Sequence, residues 1–242
     1  MIGKHLHFIW TIALIAVWGS VSAQPIQTIP LTKEKVAIDG LGKEMAWSKS
    51  AWIPLTHLWA GTHANPADFK GRIKYLTDEN YLYVLAEIED DSLVDINKDP
   101  VDHYWDDDCL EVFIDADASG GIHQNNHTAF AYHLSLAGHA LDLGESGLPI
   151  FMDDHVTQKR VCKGNQCTWE VRFKLYANDY KEGKPNQRVK LNKGNKIRVA
   201  SAYCDNDYSS EREHFYGSMP IPGEDKNRAW MNASLFPLYQ IK

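Results

Sequence analysis

The sequence has little of what nucleic-acid binding and nucleotide chemistry require. Its 25 lysines and arginines are outnumbered by 32 aspartates and glutamates, which gives a formal charge of −7. Neutralising phosphates requires clustered basic residues. The sequence also has no glycine-rich phosphate loop, no nucleophile elbow and no repeat of fixed period. Nucleic acid is therefore not an expected partner.

Long apolar runs are also scarce, and the notable one lies at residues 8–17. Lys4 precedes it and small residues ending at Ala23 follow it, which is the pattern of a secretory signal peptide. The run is too short to span a bilayer comfortably, and no stop-transfer charges follow. We expect residues 1–23 to be cleaved and residues 24–242 to be secreted or periplasmic, without a membrane anchor. Cleavage removes Lys4 and no acid, so the charge of −7 becomes −8.

Helical periodicity is almost missing, whereas β-rich runs are frequent. Residues 72–76 and 81–88 flank the turn-like residues 77–80 and predict a hairpin. Further strands are expected at residues 109–115, 129–136, 168–175, 196–203 and 238–241. Their spacing predicts a single all-β domain, an antiparallel β-sandwich with jelly-roll or immunoglobulin-like layers. The polar stretch at residues 178–196 is either a long loop or a short helix.

The four cysteines all follow the expected cleavage point, in an oxidising compartment. Cys162 and Cys167 flank a turn-like Gly-Asn pair, which predicts a disulfide across a hairpin. Cys109 and Cys204 both lie in strand-like runs and are candidates to pair across neighbouring strands. Two other connectivities remain open.

The acid-rich stretch YWDDDCLEVFIDAD, residues 104–117, surrounds a strand-like run. Side chains alternate along a strand, so if Leu110, Val112 and Ile114 share the buried face, Glu111 lies on the other face. Trp105 is in the loop just before it. An aromatic ring beside a carboxylate suits a sugar, whose ring faces are apolar and whose rim carries hydroxyls.

The remaining acids have two interpretations. We expect residues 106–108 to be solvated loop residues. Asp90, Asp91, Asp115 and Asp117 fall at strand ends, where oxygen ligands for calcium are often found. No EF-hand spacing is present, so structural calcium stays open, no metal ligand is assigned and no cofactor is required.

Three ordered motifs carry a family resemblance. They are VAIDG at residues 36–40 followed by Ala46-Trp47, LYVLAEIED at residues 82–90, and WDDDCLEVFID at residues 105–115. Together they closely resemble the family 9 carbohydrate-binding modules, over about residues 36–241. The resemblance implies a β-sandwich that clamps a terminal sugar between two tryptophan rings, with charged and amide groups reading its hydroxyls. Members of this family also hold structural calcium.

The resemblance also implies site residues. Trp105 matches the first clamp ring, and Glu111, six residues later, matches a glutamate that bonds sugar hydroxyls. Asn227 and Trp230 match the family's asparagine and second clamp ring at the same three-residue spacing. Arg212 matches a binding arginine.

One departure concerns a second arginine, expected near residue 130, where this chain reads AFAYH at residues 129–133. Tyr132 and His133 are the candidates to take its place as sugar-binding residues.

A different interpretation is that the marked tryptophans are core residues, as we expect for Trp47, Trp52 and Trp169. Glu111 and Arg212 would then form a surface ion pair, which contributes little.

Two other classes of function compete with sugar binding. Glu111 and Asp115 could act as a glycosidase pair, but positions i and i+4 of a strand lie about 13 Å apart, beyond the usual spacing. We therefore expect no catalytic residue, and a hydrolase only as a partner. A haem-binding electron-transfer sandwich is the other class, because related sandwiches ligate haem through methionine and histidine. Its candidate ligands are His123, His127, His133, His139, His155, His214, Met152 and Met219.

The sequence thus predicts an exported, non-catalytic protein that binds an oligo- or polysaccharide and supports polysaccharide degradation or uptake.

Overall fold

The computed structural model describes residues 26–242. The expected signal peptide at residues 1–23 lies outside the described residues. Within residues 26–242, no helix has the length and apolarity that crossing a membrane requires.

Strands dominate the described chain, and the helices are three short 3-10 turns at Met45–Lys49, Ala229–Met231 and Ala233–Leu235. The strands are β1 Gln27–Ile29, β2 Ile53–Leu55, β3 His57–Gly61, β4 Phe69–Thr77, β5 Tyr81–Asp90, β6 Cys109–Asp115, β7 Phe130–Ser135, β8 Ala140–Leu143, β9 Pro149–Phe151, β10 Val156–Lys163, β11 Gln166–Lys174, β12 Lys196–Asp205, β13 His214–Gly217 and β14 Leu238–Ile241.

The strands form two sheets that pack face to face. The nine-stranded sheet has the order β1-β14-β12-β6-β7-β8-β9, and β13 joins it by pairing with β12 and β3. The five-stranded sheet has the order β10-β11-β5-β4-β2. Pairing is antiparallel except between β1 and β14. The predicted β-sandwich is confirmed.

Each predicted strand is present, with boundaries that differ by up to three residues. The expected hairpin is β4–β5, and the expected strand at residues 109–115 coincides with β6. The stretch at residues 178–196 is a loop with turns and one bridge, from Tyr176 to Arg188.

The main core lies between the two sheets and takes one face of β6, as its alternation predicts. Leu110, Val112 and Ile114 are at most 1% exposed and pack in one cluster with residues of the five-stranded sheet such as Val84. Trp169 joins this core, Trp47 is buried in a smaller cluster, and both were expected as core residues.

A second apolar cluster covers the other face of the nine-stranded sheet. Trp59, Phe113, Phe215 and Phe236 belong to it. Gly217 permits the close packing of Trp59, because a Cβ at this position would lie 2.0 Å from Trp59 Cε2. Both faces of β6 are therefore buried.

The ends of the described chain meet at one edge of the nine-stranded sheet. β1 runs parallel to β14, with Gln27 opposite Tyr239. Leu31 N donates to Lys242 O at 2.7 Å, and Lys242 N donates to Ile29 O at 3.0 Å.

The predicted disulfide between Cys162 and Cys167 is present and joins β10 to β11 across their hairpin. Cys109 and Cys204 lie directly opposite each other on β6 and β12. They are not bonded, and both are buried as free thiols.

Candidate functional site

A cavity of about 320 Å³ lies on the outer face of the nine-stranded sheet, against β6, β7 and β8. It is lined by Tyr104, Trp105, Glu111, Ala131, His133, Asp142, Leu143, Arg212, Asn227 and Trp230. Sequence reasoning assigned five residues to sugar binding, and all five line this one cavity. The first and the last of them are more than 120 positions apart in the chain. A larger groove of about 900 Å³ passes Arg72 and Glu87, but these two side chains pair with each other.

One aromatic wall is formed by the turn that leads into β6. Trp105 is 38% exposed, the most exposed tryptophan of residues 26–242. Its ring meets the ring of Tyr104 edge-on, with centroids 5.0 Å apart. Tyr104 in turn meets the ring of His133 edge-on at 4.6 Å. The Trp105 wall therefore rests on aromatic neighbours and keeps part of its surface open.

The other aromatic residue, Trp230, lies in the short 3-10 helix Ala229–Met231 and is half-buried. His123 forms two hydrogen bonds with this segment. Its backbone N–H donates to Met231 O at 2.9 Å, and its ring Nε2 donates to Ala229 O at 3.1 Å. Burial lowers the pKa of His123 to about 4, so the ring is neutral near pH 7.

Glu111 is a buried carboxylate on the floor of the cavity, and its Oε1 oxygen has three partners. On β7, His133 lies directly opposite it in register, and His133 Nε2 is 2.9 Å from Glu111 Oε1. Arg212 Nη1 lies 3.5 Å from the same oxygen, and the Cys204 thiol donates to it at 3.1 Å. Burial alone would raise the pKa of Glu111, but His133 and Arg212 hold the pKa below its ordinary value. Glu111 is therefore an ionised acceptor.

Arg212 lies in the loop between β12 and β13, and its guanidinium is packed into place. Nη1 donates to Cys204 Sγ at 3.2 Å, and the guanidinium carbon lies 4.1 Å from the ring centroid of Phe215. Burial would lower the pKa of Arg212, but Cys204 and Glu111 raise it further above its ordinary value. The cavity thus contains one permanent positive charge beside one permanent negative charge.

His133 and Tyr132 were both candidates to replace the missing arginine, and the structure separates them. His133 lines the cavity, whereas Tyr132 is 1% exposed and belongs to the core between the sheets. The Tyr132 hydroxyl lies 2.9 Å from His155 Nδ1, away from the cavity. The prediction for Tyr132 is wrong, because adjacent residues of a strand point to opposite faces.

The prediction that residues 106–108 are solvated is also wrong. Asp106, Asp107 and Asp108 are at most 8% exposed and accept hydrogen bonds from backbone amides. Asp106 Oδ1 accepts from Arg212 N at 3.2 Å, and Asp108 Oδ1 accepts from Asn206 N at 2.8 Å. These carboxylates tie the segment that carries Trp105 to the loop that carries Arg212.

Two cavity residues were missed by sequence reasoning. Tyr104 had one usable signal, its position next to Trp105. Asp142, on β8, had none, because only the pairing of β8 with β7 brings it to the cavity. Its carboxylate accepts hydrogen bonds from Ala131 N at 3.1 Å and Leu143 N at 2.7 Å. Burial raises its pKa to about 6, so it is mostly ionised at neutral pH.

A second group of carboxylates lies at the ends of β5 and β12. Oxygens of Asp90, Asp108 and Asp205 lie within 4.8 Å of one another, and all three residues are buried. Burial raises their pKa values, to about 6 for Asp90, about 9 for Asp108 and about 8 for Asp205. Asp205 Oδ1 is buried without a hydrogen-bond partner. Three crowded oxygen donors with one orphaned atom suit a hard cation such as calcium.

The other acids that the sequence marked at strand ends lie elsewhere. Asp91 belongs to a separate, partly exposed acidic group. Asp115 accepts from Gly120 N at 2.7 Å and closes a turn at the far end of β6, and Asp117 accepts from Asn178 N at 3.1 Å. Asp115 does not line the cavity, so the structure does not assemble it with Glu111 as a glycosidase pair. The two candidate haem methionines, Met152 and Met219, lie in different core clusters.

A β-sandwich with an aromatic-walled cavity that contains a few polar groups on one sheet has the architecture of a ligand-binding module. The family model for the carbohydrate family 9 binding domain-like proteins matches residues 38–241. The chain belongs to this family, as the motifs predicted.

Solved structures support the same fold. A family 9 carbohydrate-binding module from Caldicellulosiruptor kristjanssonii in complex with cellotriose is 19% identical, covers 89% of this chain and 94% of that chain, and has a TM-score of 0.64. A structure of such a module from the same organism in complex with glucose is 20% identical, with coverages of 89% and 96% and the same TM-score of 0.64. A "putative carbohydrate-binding protein" from Bacteroides uniformis is 11% identical, with coverages of 89% and 98% and a TM-score of 0.58. No curated protein matches the chain.

Proposed function

We propose that this protein is an exported, non-catalytic carbohydrate-binding protein that holds a terminal sugar between Trp105 and Trp230 and supports polysaccharide degradation or uptake. The observation that carries the proposal is the convergence of both tryptophans with Glu111, Arg212 and Asn227 on one cavity. Its volume of about 320 Å³ is at the small end for small-molecule sites, which suits one end of a glycan better than a long chain segment.

The chemistry of binding follows from the surroundings of each group. The tryptophan faces cover the apolar C–H patches of a sugar ring and exclude water from it. Glu111 is ionised and accepts hydrogen bonds from hydroxyls, Arg212 donates to hydroxyl oxygens, and the Asn227 amide can do both. Bonds to the two charged groups are stronger than neutral ones, so they orient the sugar. Because Glu111 lies on a strand that is buried on both faces, its carboxylate needs little ordering when the sugar binds.

We further propose that Asp90, Asp108 and Asp205 hold a structural calcium ion. The orphaned Asp205 Oδ1 and the crowding of three buried carboxylates support the proposal. When bound, the ion would offset two of the three negative charges of the ionised cluster and fix the end of β12 against the segment that carries Trp105. It would take no part in reading the sugar.

Calorimetric titration of the mature protein with glucose and cellotriose tests the sugar-binding proposal. Trp105→Ala and Trp230→Ala should each reduce binding below detection while circular dichroism stays like that of the parent. Aromatic contacts add about 0.5–1.5 kcal/mol beyond burial of the ring, and a weak sugar complex cannot tolerate that loss.

Trp52→Ala is the matched control, since Trp52 is also half-buried but lies under Arg72 and Lys74, away from the cavity. The proposal is wrong if both cavity variants bind sugar like the parent, or if the parent binds neither sugar nor any other member of a glycan array.

A further inference from the structure

The two carboxylates that line the cavity have different neighbours. Glu111 lies 2.9 Å from His133 Nε2 and 3.5 Å from Arg212 Nη1. Asp142 has no such partner, since its carboxylate forms no salt bridge within the described residues and its hydrogen bonds come from two neutral backbone amides. Of the two carboxylates in the cavity, Asp142 is therefore the one without a direct contact to a basic side chain.

The Asp142 carboxylate also has unused acceptor capacity. An ionised carboxylate offers about four acceptor positions. The amides of Ala131 and Leu143 use one on each oxygen. The remaining positions are available to a donor inside the cavity, which Asp142 lines.

The strand that lacks the expected arginine lies next to the Asp142 carboxylate. In that region β7 presents Ala131 to the cavity, and the Asp142 carboxylate bonds to the backbone of this alanine. A negative group thus lies where a second positive group would have been expected. The aromatic rings of Tyr104, Trp105 and Trp230 line the same cavity, and the faces of such rings attract cations.

We infer that the cavity selects a sugar with a protonated primary amino group, a 2-amino-2-deoxyhexose, over the corresponding neutral hexose, and that Asp142 is the residue that determines this specificity. The inference rests on the proposed sugar-binding function and names its ligand class. An ammonium group supplies three donors and the charge that Asp142 lacks, while the ring between the tryptophans is recognised as in any sugar.

The test compares glucosamine, glucose and N-acetylglucosamine by calorimetry at neutral pH and low salt. The parent should bind glucosamine about tenfold more tightly than glucose, because a hydrogen bond between charged groups exceeds a neutral one by roughly 1.4 kcal/mol. N-acetylglucosamine should lose this advantage, since its amide nitrogen carries no charge. This comparison uses only the parent protein, so it does not depend on the folding of any variant.

The variant Asp142→Asn tests whether Asp142 determines the specificity. It keeps the size of the side chain and one carbonyl acceptor but removes the charge. It should lower the affinity for glucosamine about tenfold and the affinity for glucose by less than about threefold. Asp179→Asn, at an exposed position outside the cavity wall, should change neither affinity.

The outcomes distinguish the two proposals. If the parent binds glucose as tightly as glucosamine, or if Asp142→Asn lowers both affinities equally, the inference is wrong and the sugar-binding function stands. If the parent binds none of the three sugars and no cellotriose, the proposed function itself fails.

Discussion

Two buried sites close to each other on β6 and β12 treat their carboxylates in opposite ways. Glu111, on β6, lines the cavity and accepts a hydrogen bond from Cys204 on β12, whereas Asp108, just before β6, and Asp205, the last residue of β12, belong to the acidic cluster. The pKa of Glu111 is held low by His133 and Arg212, whereas burial raises the pKa values of the aspartates. Side chains of the protein compensate the charge of Glu111, whereas the carboxylates of the cluster need protons or a cation from solution.

Removing the compensation at Glu111 should have the largest effect. Arg212→Met leaves a buried carboxylate with His133 as its remaining basic partner. We expect the free energy of unfolding to fall by about 3 kcal/mol and sugar binding to be lost. Chemical denaturation and calorimetry measure the two effects.

The double variant Arg212→Met with Glu111→Gln is the control. It should recover most of the stability, because the Glu111 carboxylate is no longer present without Arg212, but not the sugar binding. If Arg212→Met alone is as stable as the parent, Arg212 does not compensate Glu111.

The acidic cluster should respond in the opposite direction when a charge is removed. In calcium-free buffer, Asp205→Asn should raise the free energy of unfolding by about 1 kcal/mol, because it removes an unsatisfied buried carboxylate. Calcium at a hundred times its dissociation constant should stabilise the parent by about 2.7 kcal/mol and the variant far less. Thermal melts with calcium and with chelator measure this, and Asp179→Asn should behave like the parent. Equal calcium effects on parent and variant would remove Asp205 from the ion site.

His123 adds a third case to the comparison, a buried group that remains neutral. Its pKa is about 4 in the folded protein, lowered by burial, against about 6.5 when unfolded. The unfolded chain therefore binds more protons between these values, and folded stability should fall as the pH drops from about 6.5 towards 4. At pH 4 the expected loss is about 3 kcal/mol.

The variant His123→Gln isolates the contribution of His123 to the pH dependence of stability, because glutamine keeps a donor for Ala229 O and does not titrate. The difference between the parent and variant unfolding curves should shrink or reverse as the pH falls. Asp142 and Asp115, whose pKa values are raised to about 6, act in the opposite direction but are present in both proteins. A difference that stays constant with pH would contradict the assignment.

The smallest effect should come from Cys204, which contacts both charged groups of the cavity. Cys204→Ala removes one hydrogen bond to Glu111 and should weaken sugar binding by about twofold to fivefold, which corresponds to 0.5–1 kcal/mol. Cys109→Ala is the matched control, because it removes the same volume but no direct hydrogen bond to Glu111. Equal effects of the two variants would reduce the role of Cys204 to packing.

Sequence reasoning was most successful where alternation and a motif agree. The strand from Cys109 to Asp115 and the division of its faces followed from a period of two, and Glu111 lies on the face predicted for it. The same alternation separates His133 from Tyr132, but the sequence alone did not say which of them faces the cavity. A shift of one residue decides this, and it depends on how β7 pairs with β6.

The failures share a different physical cause. Asp106, Asp107 and Asp108 were expected in solvent, because isolated charges are usually solvated. In the folded chain, backbone amides from distant loops replace water around these carboxylates, and no local sequence pattern predicts such donors. Asp142 was missed for the same reason, since its position depends on pairing between strands. The roles of the cavity residues in binding sugar stay predictions.

The parallel pairing of β1 with β14 has a mechanical consequence. Because the two strands run in the same direction, tension that pulls the two ends of the domain apart would slide one strand along the other. Their hydrogen bonds would then resist together rather than break one after another, as they would if the strands were peeled apart. If the domain binds a glycan while its ends are pulled apart, the paired strands β1 and β14 would resist unfolding by force.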